Sequence, residues 1–384
     1  MKRIAFLLSM ILLFTGCSLV PDEYRSVKPH VSSQQTQMPD AVEVFDYDSL
    51  TDAILGFVKA GREEGTIRTV DYAGNVEEEL VQAVYDVVRL NPVGAFAVDY
   101  LNHNCVKILN YYEISLAITY RRSGYEIAAI QQAYTPQQLQ GQVERSLRTY
   151  DDLLAMQVTE DQVFDIDAIV EKYCLDNPAE MVEVPTVSVS VFPEEGTERI
   201  VEVEFHYQNN YDNLMTKKSA VEESVAAAAE YIRYRHSDRD KARLLYTYLT
   251  ERFTYEEGSS DSPVWSALCG GIADPTGLAQ GFRLICEKAG VKCYTVSGLK
   301  DGEPYCWNIV SDDGDFRHID LARDIAEDQG LWFMTDWEMN RYYWNTADYP
   351  ACVAESAVQQ PAAEEKTPTE DPSVEEVPVE EELA

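Results

Sequence analysis

Eight cysteines and five histidines are the side chains of this chain best suited to nucleophilic or metal chemistry. Cys17 stands apart near the N-terminus; the other thiols are Cys105, Cys174, Cys269, Cys286, Cys293, Cys306 and Cys352. A thiol beside an imidazole that a carboxylate orients can attack an acyl carbon. Cys269, in the loop ALCGG, and His318, two residues before Asp320 and on the same face of its strand, are the candidates for that chemistry. The plainer reading packs Cys269 in its loop and makes His318 structural. Thr276 has a hydroxyl but no base at hand. His103-Asn104-Cys105 offers two ligand types, but no second His/Cys pair stands at a useful spacing, so neither a metal nor a cofactor is expected. Seven thiols cannot all pair within one chain, and Cys286 and Cys293 are expected in the core.

The elements that must position these groups are legible between Asp238 and Cys352. DKARLLYTYLTERFTY has the period of an amphipathic helix. Asp274 is placed as an N-cap, Pro275 as the first helical residue and Gly290 as the stop, which predicts a helix over 275–289. Strands VKCYTVSGL, YCWNIV and FRHID follow, separated by turns at 300–304 and SDDGD.

Gly277, Ala279, Phe282, Ala289-Gly290-Val291, Val296, Gly298, Trp307-Asn308, Ile309-Val310 and Ile319-Asp320 together resemble the transglutaminase-like superfamily. That resemblance implies a papain-like α+β fold with a Cys, His, Asp triad. Carried over position by position, the nucleophile's place falls on Pro275, the base's on Tyr305 and the orienting acid's on Asp320. Proline has no nucleophile, and a phenol is a poor base near neutral pH. Cys306, next to Tyr305 on one strand, should face away from Asp320. Trp307 and Asn308 mark the cleft such a domain would carry. The aromatics Trp332, Trp337, Tyr342, Tyr343 and Trp344 read equally as cleft lining or as core.

Upstream, helix signals alternate with strand pairs, an α+β pattern. A helix over 76–90 ends at Asn91-Pro92 and precedes strands FAVDYL, CVKILNYY and EISLAITY. A second, over 165–175, ends at Asn177-Pro178 and precedes the hairpin VPTVSVSVF/ERIVEVEFHY. Helices over 136–156 and 216–235 follow. Two helix-hairpin-helix units are therefore expected.

The N-terminal MKRIAFLLSMILLFTGC pairs two basic residues with an apolar run and small residues before Cys17, the order of a signal peptide. Thr15-Gly16-Cys17 resembles the bacterial lipobox, which implies a lipid on Cys17 and anchorage to a membrane from the extracytoplasmic side. The expected organisation is a signal peptide at 1–16, a stalk at 17–44, an α+β domain at 45–235, a transglutaminase-like domain at 236–355 and an acidic, Pro-rich disordered tail at 356–384. A net charge of −36 sets nucleic acid aside as a partner. The reading that follows is a surface lipoprotein whose transglutaminase-like domain binds or scaffolds, with a peptide, a glycan or an envelope protein as ligand. A thiol peptidase or amide transferase using Cys269 is the alternative.

Overall fold

The computed structural model describes residues 41–159, 165–252, 254–256, 260–328 and 330–353. Cys17, the signal peptide and the acidic tail from residue 356 lie outside the described residues. The described chain is α+β and divides into two compact units, 41–88 with 98–120, and 89–97 with 121–353. The second unit runs through position 235, where the sequence suggested a boundary.

The first unit begins inside the expected stalk, because Val42–Val44 is already a strand, β1. Helix α1 (Tyr47–Lys59) follows, started by a capping box between Asp46 and Ser49 and turning Leu50, Ile54, Phe57 and Val58 inward. It returns to β2 (Glu64–Thr69), parallel to β1. Helix α2 (Val76–Tyr85) leads through a π turn and a short helix at 92–97 to β3 (Val98–Ile108) and β4 (Tyr111–Tyr120). The three strands expected here are two long ones, turned at Leu109, and the residues Phe96-Ala97 are helical. The sheet order is β1-β2-β4-β3.

The second unit repeats that order. Strand β5 (Gln131–Gln132) leads to α3 (Pro136–Thr149), capped by Thr135 with Pro136 at its first position. The helix expected to reach Met156 stops at Thr149, where Tyr150 takes a left-handed conformation. The apolar run beyond it, in β6 (Leu153–Thr159), fits the middle of a sheet. After α4 (Ile166–Asp176) come β7 (Thr186–Phe192) and β8 (Glu198–His206), in the order β5-β6-β8-β7. What recurs is thus a β-α-β-α-β-β unit. The expected helix-hairpin-helix pairing took the helix at 136 to close the first copy, whereas it lies between the first two strands of the second.

Helices α5 (Tyr211–Ile232) and α6 (Asp238–Thr250) then lead to the short parallel pair β9 (Thr254–Tyr255) and β10 (Ile272–Ala273). Helix α7 (Pro275–Lys288) packs against a sheet of β11 (Cys293–Lys300), β12 (Glu303–Asp312), β13 (Asp315–Ile319) and β14 (Tyr342–Tyr343), ordered β13-β12-β11-β14. Helix α8 (Leu321–Ala326) starts directly after β13. One apolar core joins α5, α6 and α7 to the second repeat and the near face of this sheet. A smaller core around Val296, Trp307, Ile309, Met334 and Tyr342 covers its other face.

Candidate functional site

The start of α7 is where the sequence places a nucleophile. Asp274 caps it, accepting from Gly277 N at 2.6 Å and from Ser260 N at 2.9 Å, and Pro275 is its first residue. The expected cap, proline and stop are all present, with Gly290 at a φ of +79°. Gly277 is set by a close approach, since a Cβ there would lie 2.4 Å from Pro263 O. Gly298 is set likewise, by Tyr343 O at 2.3 Å.

A helix N-terminus favours an anion, and here it already has one. Asp274 is buried, and its carboxyl is pushed up by that burial and held back by the amides of Gly277, Ser260 and Thr276. Cys306, on the face of β12 toward α7, has its thiol beside Thr276 and Ser297. Burial pushes that thiol up, and the charge of Asp274 adds to the rise. The arrangement opposes a thiolate instead of stabilising one.

On the other side of the strand, Tyr305 donates to Asp320 Oδ1 at 3.0 Å. Lys300 Nζ and Tyr342 Oη donate to Oδ2 at 2.8 and 2.5 Å. Arg323 N donates to Oδ1 at 3.0 Å, so Asp320 is also the N-cap of α8. The acid that would orient an imidazole is therefore engaged by an ammonium, two phenols and an amide, and is 1% exposed. Burial and the nearby carboxylate both push the Tyr305 and Tyr342 phenols upward, which keeps them protonated as donors. In the sequence Lys300 reads as part of a turn and Tyr342 as one of the cleft-or-core aromatics, and neither points to Asp320. Lys300 meets Asp320 because β11 pairs with β12, and Tyr342 because β14 adds to β11.

His318 belongs to a different cluster. It is fully buried on β13, pairs across the sheet with Ile309 and meets Met334 through two backbone bonds. Trp307 Nε1 lies 3.0 Å from Nδ1, and Asp336 Oδ1 lies 2.8 Å from Nε2. An indole N–H can only donate, so Nδ1 accepts and Nε2 carries the proton given to Asp336. Burial lowers the imidazole's pKa against the pull of Asp336. Trp344 packs edge-on to both rings.

Cys352 completes a trio with His318 and Asp336 whose ligand atoms lie within 4.8 Å of one another. A cation on Nε2 would displace the proton toward Nδ1, where Trp307 already donates. The Cys352 thiol is pushed up to about 12 by burial, far from the thiolate a metal takes. The trio fits a hydrogen-bonded support better than a metal centre.

Cys269 is exposed, on a π turn at 266–270, and its sulfur lies 3.4 Å from Ser224 Oγ. The structure does not bring it to His318, whose two nitrogens are engaged elsewhere. Of the other singled-out residues, Asn308 is buried with its amide on Ala279 O at 2.8 Å, and Trp307 is 1% exposed. Both are core residues. Tyr342 and Trp344 join them, while Trp332, Trp337 and Tyr343 are exposed. Cys286 and Cys293 are buried as expected. Cavities of about 590 and 560 Å³ lie against α3, and neither is lined by Pro275, Tyr305 or Asp320.

Comparison with known proteins bears on the same segment. Residues 225–324 match the model of the transglutaminase-like superfamily. No curated protein matches the chain. Among solved structures, a TGase is 12% identical, with 54% of this chain and 60% of that one covered and a TM-score of 0.25. A candidate protease from Parabacteroides distasonis is 10% identical over 54% of this chain and 45% of its own, at a TM-score of 0.24. A candidate cysteine protease from Cytophaga hutchinsonii is 10% identical over 42% and 68%, at 0.25. The chain thus spans less than two thirds of the first two. Over residues 225–324 the chain carries a domain of the transglutaminase-like superfamily.

Proposed function

We propose that this chain is an extracytoplasmic lipoprotein, held to a membrane by acyl chains on Cys17, whose transglutaminase-like domain binds or scaffolds and does not catalyse. One observation carries the reading. Asp320 is saturated by Lys300, Tyr305, Tyr342 and Arg323 N, while α7 begins with Pro275 behind its own buried carboxylate. A thiol enzyme needs the reverse at both places, an anion-ready helix end and an imidazole on the acid. The ligand classes in view are a peptide, a glycan or another envelope protein, and exposed Trp332, Trp337 and Tyr343 supply aromatic surface for any of them. No helix among the described residues is long and apolar enough to cross a membrane, which is compatible with attachment by lipid.

The full chain, incubated with casein, a fluorescent primary amine and peptide amides, is expected to release and transfer nothing above the blank. Cys269 is expected to alkylate no faster than a free model thiol. Turnover that disappears in Cys269→Ser would replace this reading with a relocated thiol peptidase or amide transferase. For the anchor, fatty-acid labelling of the producing cells should be lost in Cys17→Ser.

A further inference from the structure

Among the described residues, strand β3 is a long sheet edge with no partner strand on its outer side. It runs eleven residues, Val98–Ile108, against a usual five or six, and β4 is its neighbour in the sheet. From Tyr100 to Ile108 its register with β4 is unbroken, the one irregularity lying between Val98 and Tyr100. Proteins commonly protect such edges with prolines, repeated charges or very short strands. This strand has no proline, only two charged residues, Asp99 and Lys107, and one bulge, confined to its first residues at Asp99.

Those two charges lie symmetrically about His103. If β3 pairs antiparallel with itself about that residue, Asp99 of each copy, at the bulge that starts the strand, comes level with Lys107 of the other. Tyr100 then faces Val106, Leu101 faces Cys105, Asn102 faces Asn104, and His103 meets its own copy. Opposite charges, amide pairs and aromatic–β-branched pairs are the cross-strand combinations that favour pairing. Asp99, Tyr100, Asn102, Asn104, Val106 and Lys107 are all exposed and available for it. The strip is also neutral on a chain of net charge −36, so it is a place where two strongly acidic bodies can approach.

We propose that β3 is a homodimerisation edge, joining the first-unit sheets of two copies into one continuous sheet. A second copy is the occupant because the complementarity is that of the strand with itself. The corresponding edge of the second repeat, β7, is seven residues with no charged side chain, and so has no ends that select a register. It serves as the control.

Sedimentation of the full chain in density-matched detergent should show a concentration-dependent dimer. Asp99→Lys or Lys107→Asp alone places like charges opposite one another at both ends and should raise the dimer Kd about threefold to tenfold. The double variant Asp99→Lys/Lys107→Asp should restore it. Under mild oxidation His103→Cys should give a 103–103 linked dimer, identified by mass spectrometry, and Val189→Cys on β7 should not. A chain monomeric at every concentration, single reversals without effect, or His103→Cys linking no faster than Cys at exposed Leu109 would each overturn the proposal.

Discussion

Asp320 and His318 stand two residues apart and are used in opposite ways. Asp320 is a hub that accepts from Lys300, Tyr305, Tyr342 and the backbone of Arg323. His318 is a neutral bridge that accepts from Trp307 and donates to Asp336. A catalytic arrangement would put the imidazole on the first carboxylate. Here the imidazole turns within the smaller core to Trp307 and Asp336, and phenols with an ammonium fill its place at Asp320. Asp320 and His318 are thus engaged by separate sets of partners. Chemistry depends on which partners meet, and these partners meet to hold β12, β13, α8 and β14 together.

The largest effect should come from the hub. Asp320→Ala strands a largely buried ammonium and two phenols, and should cost about 3–5 kcal/mol in urea unfolding. A loss below about 1 kcal/mol would mean that the cluster is solvated and open to a ligand, which would erase the contrast with His318.

The bridge should show itself through pH. Its imidazole is pushed below the ordinary 6.5, so it is neutral in the fold and readily protonated in the unfolded chain. The stability it supports is complete above about pH 6.5 and declines as the pH falls below that, because the unfolded state takes up the proton first. His318→Gln should lose about 2 kcal/mol at pH 7.5 and flatten the fall in melting temperature between pH 7 and 5. An unchanged pH slope would show that His318 is not the group that senses acid.

The smallest effect is expected where a catalytic site would be most sensitive. Pro275→Cys restores a thiol to the start of α7, but Asp274 already occupies that end. Its alkylation should follow an apparent pKa no lower than that of a free thiol, about 8.5, and adding Tyr305→His should yield no amide hydrolysis. A thiolate forming near neutral pH would show that the helix start has kept its catalytic field.

The two β-α-β-α-β-β repeats make the same point with a single phenol. Tyr120, at the end of β4, donates to Arg62 O at 2.8 Å and ties the strand to the turn after α1. Tyr207, just past the end of β8, has a buried hydroxyl with no hydrogen-bond partner and packs against Tyr150, whose own hydroxyl goes to Glu180 O. The matching Asn-Pro pairs at 91–92 and 177–178 are visible in the sequence. The true repeat is not, because β1 and β5 are only three and two residues long and a helical pattern does not say which strands the helix joins. Residues 150–156 fall within the expected helix, since a short apolar stretch has no period that separates a central strand from a buried helix.

What the sequence by itself determined is local or positional: the cap and proline of α7, the alternating strands of the C-terminal sheet, and the family-like segment. Each depends on residue identity at a known spacing, and backbone preferences act over a few residues. Only the tertiary structure decided that Lys300 and Tyr342 converge on Asp320, that His318 turns to Trp307 and Asp336, and that β3 is left as an edge. Those facts follow from strand order and register, which bring together residues far apart in the chain through packing that no local pattern encodes.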